Sequence, residues 1–232
     1  MGVCLPGTKK FGMYSLADLC KVYTVGKEFY QERQLGNDWE FSKYTRSVIT
    51  PSGKIYAINC RTTSEKIDHY FYEISESKAS NRGPLPVPRK DSALIYLNNY
   101  IYMIGGQGEG EKCSRKNYRY SLKEKKWTQI CESNVALRKP TVCSMNNRYI
   151  CKLGGLNEFD YINKVIEMYD TLTDRWSLVR ASPRNILEEI QILEDSYAIQ
   201  INDDQIYVFG GKNANKYVLL YVDLTRIVVL CC

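Results

Sequence analysis

Ile101-Tyr-Met-Ile-Gly-Gly106, Ile150-Cys-Lys-Leu-Gly-Gly155 and Ile206-Tyr-Val-Phe-Gly-Gly211 are three versions of one phrase, a short run closed by two glycines. The second glycines stand 49 and 56 residues apart. Repetition at that period marks a chain of stacked supersecondary units, because one such unit cannot bury its own apolar face. The register extends outward on both sides. Arg89 and Arg138 each lie 16 residues before the first glycine of their unit, Gly105 and Gly154. Tyr120 and Tyr169 lie 14 residues after Gly106 and Gly155, and Trp127 and Trp176 lie 21 after them.

Between these markers the pattern is strand and turn. Ser92–Leu97 and Tyr100–Ile104 flank Asn98-Asn99, and Tyr118–Leu122 and Trp127–Cys131 flank Lys123–Lys126. Val165–Asp170 and Trp176–Val179 repeat the second hairpin. Ser52-Gly53 and Asp203-Asp204 fill the first turn elsewhere. Such residues tolerate the positive φ that tight hairpins need. The expected chain is all-β.

Two weaker versions precede the clear ones. In Ile55-Tyr-Ala-Ile-Asn-Cys60 the glycines are replaced, Lys43 stands where Arg is expected, and Asn81 holds the Trp position. Met13–Asp18 fits loosely, with Trp39 at the matching distance. The last unit, with Gly210 and Gly211, reaches Cys232 where its Trp should stand. It is also longer ahead of its glycines, through Ser182–Asp195, with a helical turn expected over Asn185–Ile190. The units divide as 1–42, 43–88, 89–137, 138–183 and a truncated 184–232.

This pattern resembles the kelch repeat, whose units form four-stranded propeller blades. The resemblance implies an all-β, kelch-type β-propeller of about five four-stranded units. Such a chain closes as a five-bladed ring, stays open as an arc, or belongs to a longer protein, and an incomplete or irregular propeller is expected. It implies structural roles for Gly105, Gly106, Gly154, Gly155, Gly210 and Gly211, which permit close backbone approach at the end of an inner strand. It implies the same for Tyr120, Trp127, Tyr169 and Trp176, which bury surface between blades.

Composition excludes several chemistries. The chain has 232 residues, 44% hydrophobic, 12% aromatic and 25% charged, which suits a folded core. His69 is the sole histidine, so two-His zinc and copper sites are excluded. The copper oxidase and the iron-dependent specifier proteins of this superfamily need more than that residue provides. Nine cysteines without a CxxC pair read as reduced thiols in a cytosolic protein. Gly105–Gly110 has the glycines of a phosphate loop but no following Lys-Ser/Thr and no helix. No cofactor or metal is expected. No run approaches the ~20 apolar residues of a membrane helix, and no secretory signal is seen. Met1-Gly-Val-Cys-Leu-Pro6 has Pro where acylation wants Ser or Thr. Leu230-Cys-Cys232 resembles a prenylated double-Cys tail, but a strand leads into it without a flexible spacer, so membrane anchoring is not expected.

Net charge is +6, spread along the chain, with no nucleic-acid motif. The loops leading into the glycine-ended strands carry Lys43, Arg46, Arg89, Lys90, Arg138, Lys139 and Arg184. Converging at one rim, these would favour an acidic protein segment. Otherwise Arg89 and Arg138 hold blades together and the lysines are solvated. The loops Gln107–Lys116 and Asn157–Asn163 are the other expected contact surfaces. The resemblance thus implies a cytoplasmic, non-catalytic scaffold that binds another protein, with partners ranging from cytoskeletal ones to ubiquitin-ligase substrates. The chain lacks room for the BTB and BACK regions of a whole ligase adaptor. The alternative is a small-molecule or sugar-binding propeller such as a mutarotase, with Glu188, Glu189, Glu194 and Asp195 as available carboxylates.

Overall fold

In the computed structural model, the Asn98-Asn99 and Asn146-Asn147 pairs turn the chain with φ of 51° to 63°. Asn reaches this left-handed region more cheaply than most residues, so each pair closes a tight hairpin. The structure describes residues 44–62, 67–75, 78–179, 196–203 and 205–210. It also describes the backbone strands 2–4, 11–13, 21–25, 30–34, 217–221 and 227–228. Two compact units result, Met1–Lys90 and Asp91–Cys232.

The first unit holds two four-stranded antiparallel sheets. One joins β1 (Gly2–Cys4), β2 (Phe11–Met13), β3 (Lys21–Val25) and β4 (Tyr30–Gln34). The other joins β5 (Arg46–Ile49), β6 (Ile55–Thr62), β7 (Ile67–Ser75) and β8 (Lys78–Pro84). Within 1–42, where the sequence offered only the loose match at Met13–Asp18, the four strands pair with one another as a sheet of their own. β8 forms without a Trp, with Asn81 opposite Tyr72. Here Glu73 draws Lys54 and Arg82 together at 2.8 and 2.7 Å across β6–β7–β8. Asn59 and Cys60 let β6 run on to Thr62, past the point where glycine-ended strands stop.

The second unit repeats the pattern. β9 (Ala93–Leu97), β10 (Tyr100–Ile104), β11 (Asn117–Ser121) and β12 (Lys126–Ile130) form one meander. β13 (Thr141–Met145), β14 (Tyr149–Leu153), β15 (Ile166–Asp170) and β16 (Arg175–Val179) form the next. β17 (Ser196–Asn202), β18 (Gln205–Gly210) and β19 (Tyr217–Tyr221) form a three-stranded sheet. The architecture is therefore all-β, built of kelch-type propeller blades. The final strand, β20 (Ile227–Val228), pairs on β16 instead of β19, with Val179 opposite Ile227. The segment 180–195, with its expected helical turn, lies outside the described residues.

The strand that ends in glycines is the second of its sheet. β9, β13 and β17 are the strands that approach each other from sheet to sheet. The inner position assigned from sequence thus belongs to the preceding hairpin strand. Thr141 and Ser196 share a 2.6 Å hydroxyl contact between β13 and β17. Outward from there the cores are apolar. Met145, Cys151, Leu153 and Met168 pack with Ile206 and Val208 of the following sheet. Ile104 and Tyr102 pack with Ile150, Tyr169 and Trp176.

Candidate functional site

The loops of the third and fourth sheets meet around the segment Ser133–Pro140, which joins β12 to β13. Glycine decides how closely. Gly106 donates its N–H to the Leu137 carbonyl at 2.8 Å. A Cβ on Gly105 (φ 61°) would lie 2.6 Å from the same oxygen. A Cβ on Gly155 (φ 74°) would lie 2.8 Å from the Arg138 carbonyl and 2.9 Å from the Pro140 Cα. A side chain at either position would push the segment away. Arg138 and Leu156 then exchange backbone hydrogen bonds of 3.0 and 2.8 Å. The Asn117 amide braces the neighbouring loop, accepting from the Gly105 N–H at 3.1 Å and donating to the Arg115 and Cys131 carbonyls.

The aromatic markers form the seam beneath. Tyr120 faces Trp127 and Tyr169 faces Trp176 across the β11–β12 and β15–β16 ladders, with ring centroids 5.3 and 5.1 Å apart. Tyr169 also meets Tyr102 of the previous sheet edge-on at 6.0 Å. Trp176 donates its indole N–H to the Cys131 carbonyl at 3.0 Å. Asp174 accepts from the Cys131 N–H at 2.9 Å and from the Tyr169 hydroxyl at 2.7 Å. Burial and this carboxylate both push the Tyr169 hydroxyl pKa upward. Lys125 occupies the place of Asp174 in the preceding unit, 19 residues after Gly106.

Sequence reading missed a buried ion pair. Lys152 and Glu167 are fully buried and 2.5 Å apart. Lys152 donates to the Val135 carbonyl at 2.8 Å and lies 5.1 Å from the Trp176 ring centroid. Glu167 accepts the N–H groups of Asn134 and Val135. Desolvation pulls the Lys152 pKa down, against the pull of Glu167. The signal was a mismatch within the repeat, since Met103 and Tyr118 hold these positions one unit earlier.

The cations expected at the rim are held in different ways. Arg89 is only 3% exposed, so its side chain cannot serve an exposed rim. Its backbone N–H donates to His69 Nδ1 at 3.3 Å. Lys90 lies over the Tyr44 ring at 5.4 Å. Arg46 is half-buried and donates to the Thr45 carbonyl at 3.1 Å. Arg138 forms an ion pair with Asp160, which lowers the carboxyl pKa and raises that of the guanidinium against desolvation. Lys139 is half-buried at φ 52° and donates its N–H to the Asp91 carbonyl at 2.7 Å. Gly154 adopts φ 61°, and Gly210 ends β18. Lys43, Arg184, Gly211 and the carboxylates at 188–195 lie outside the described residues.

The two expected contact loops stand side by side, with the Cys113 thiol 3.3 Å from the Leu156 carbonyl. Phe159 and Tyr161 are 69% and 70% exposed there, a feature sequence had not singled out. Cys143 and Cys151 are buried free thiols. Burial raises Cys143 to about 12 and Cys151 well above its usual value, which leaves both poor nucleophiles. Among the described residues no group of three or more His, Cys, Asp or Glu is placed to hold a metal. No helix there is long and apolar enough to cross a membrane.

Comparison with known proteins agrees with this geometry. Residues 88–130 match the Kelch motif family. Kelch-like protein 38 of Rattus norvegicus is 24% identical over 150 residues, covering 63% of this chain and 24% of its own length. Alpha-scruin of Limulus polyphemus is 25% identical over 153 residues, covering 63% of this chain and 16% of its own. The chain thus spans about a quarter or less of the length of these curated relatives. A solved structure, described as "Structure of YjhT", superposes with a TM-score of 0.56 at 14% identity. That match covers 80% of this chain and 67% of the other.

Proposed function

We propose that this chain, which is a kelch-repeat protein, works as a non-catalytic protein-interaction module. The observation that carries the reading is the contrast at one end of its third and fourth sheets. The glycine pairs, the 133–140 segment and the aromatic seam fix the scaffold, while exposed loops project from it. The segments 107–116, 138–139 and 157–164 hold six Lys or Arg against four Asp or Glu, an excess that favours an acidic partner surface. Recognition of ubiquitin-ligase substrates and a cytoskeletal contact are the two finer roles the family resemblance suggests, in a cytoplasmic setting.

The test is capture from cell extract by the full chain, beside a Lys112→Glu/Lys164→Glu variant of equal melting temperature. Binding is then measured with the purified partner. Capture by wild type, weakened in the variant and at high salt, supports the reading. Absence of any specific partner refutes it. A saturable rise in melting temperature with a sugar would establish the ligand-binding alternative instead.

A further inference from the structure

We propose that the Asn157–Asn163 loop is a preformed aromatic anchor. In this view Phe159 and Tyr161 enter an apolar cleft with an acidic rim on a folded partner protein. The inference rests on the interaction reading above and specifies its contact.

The loop is fully tied to the scaffold. The Asn157 side-chain oxygen accepts the N–H groups of Phe159 and Tyr161, each at 3.0 Å. Its backbone N–H donates to the Tyr161 carbonyl at 3.0 Å. Asp160 sits at φ 66° and donates its N–H to the Asn157 carbonyl. Arg138 holds the Asp160 carboxylate, Leu156 bridges Ile162, and the Asn163 N–H reaches the Gly155 carbonyl at 2.9 Å. The tip is therefore anchored beside the Arg138–Leu156 backbone pair.

Such ordering is unnecessary for a solvated connection. It removes in advance the entropy that binding would otherwise cost. Single exposed apolar residues are ordinary, and Leu172 on the β15–β16 turn is one. Two aromatics one residue apart on a locked tip are a different case, because aromatic side chains dominate binding hot spots. A projecting tip is convex and fits a concave, folded surface better than it wraps a peptide. Charge sets the rim. Asp160 is neutralised by Arg138 and also feels the Lys112 charge. Lys112 and Lys164 are exposed, as is Glu158 beside Phe159, which leaves the three cations Arg138, Lys112 and Lys164 one ahead of Asp160 and Glu158. The surrounding cationic excess calls for acidic groups around the cleft.

The test places p-benzoylphenylalanine at position 159, at 161 or, as control, at 172 of the full chain. Cross-links made in extract are mapped by mass spectrometry, and the partner is purified and titrated. The expected result is one protein cross-linked from 159 and 161 but not 172, within an apolar cleft. Phe159→Ala/Tyr161→Ala then weakens its binding about 30-fold or more at unchanged melting temperature. Asn157→Ala weakens it less while leaving both rings present. A partner that binds the double variant within twofold of wild type overturns this inference and leaves the interaction reading intact. Cross-linking to a second copy of the chain also overturns it. No partner in either assay removes both.

Discussion

Lys152→Met tests whether the buried ion pair organises the 133–140 segment. The substitution installs the residue that the preceding unit uses at this position, Met103, so shape is roughly kept. Glu167 then remains fully buried with two backbone N–H partners and no cation. Removing one member of a buried pair costs about 3–5 kcal/mol, because the remaining charge is uncompensated. For a chain of this size that lowers the melting temperature by about 6–20 °C. Glu167→Gln should cost a similar amount by stranding the Lys152 ammonium. The double variant should lose less than the sum of the two, since neither charge is left alone. A pH signature separates this from simple misfit. Lys152 has a folded pKa below 10.5, so between that value and 10.5 the unfolded chain holds more protons. Its contribution to stability therefore rises with pH across that window. Glu167→Gln removes the group that opposes desolvation and extends the window downward. Urea unfolding of the four proteins at several pH values reads both effects. A Lys152→Met variant as stable as wild type, or strictly additive single variants, would refute the reasoning.

Three further outcomes are expected. Gly155→Ala should cost about 2–4 kcal/mol, from left-handed backbone plus collision with the Arg138 carbonyl and Pro140. Gly110→Ala, at φ 73° with nothing within 4 Å of a built Cβ, should cost only the backbone share of about 1–2 kcal/mol; chemical denaturation of both decides it. Asp174→Ala should cost about 1–3 kcal/mol by orphaning the buried Tyr169 hydroxyl, and a prior Tyr169→Phe should shrink that loss. Asp170 is held at about 2, below its usual 3.8, chiefly by the Arg148 hydrogen bonds. Its contribution is therefore complete above pH 3.8 and lost as pH falls towards 2, and Asp170→Asn should flatten that part of an acid titration followed by circular dichroism.

Much of the fold was legible because each turn carries its own chemistry. Asn98-Asn99 and Asn146-Asn147 announce positive φ, and the glycine pairs announce close approach. The first sheet was only faintly legible because Met13–Asp18 lacks the glycine pair that closes the clear units. In the second sheet β8 is held by Glu73 with Lys54 and Arg82 instead of a Trp, a pairing that spacing alone does not reveal. The pairing of β20 with β16 was hidden for a related reason: strand propensity says that Ile227–Val228 can pair, but not with which edge. At the site, charge count overstated the rim. Arg89 and Arg138 match in register, yet one is buried and the other meets Asp160. Whether an Arg faces solvent depends on what the next loop supplies.

The departures from the repeat suggest where this protein differs from a generic scaffold. A position that keeps its residue type between units answers a demand every unit shares, as the Tyr–Trp pairs do. A position that changes answers a demand of one place. Lys152, Glu167 and Asp174 replace Met103, Tyr118 and Lys125, and all three bond to Cys131, Asn134 or Val135. They therefore fasten the fourth sheet to the segment arriving from the third. That segment continues through Arg138, whose carbonyl meets Leu156 and whose guanidinium holds Asp160. Stiffness made in the buried seam is thus connected, within a few residues, to the tip carrying Phe159 and Tyr161. On this argument Lys152→Met should do more than destabilise. At temperatures where the variant is still folded, amide exchange should quicken at Arg138, Leu156 and Asn163, while the β9–β12 ladders stay unchanged. Uniform quickening across both sheets would mean that the pair supports the unit as a whole and has no special link to the loop.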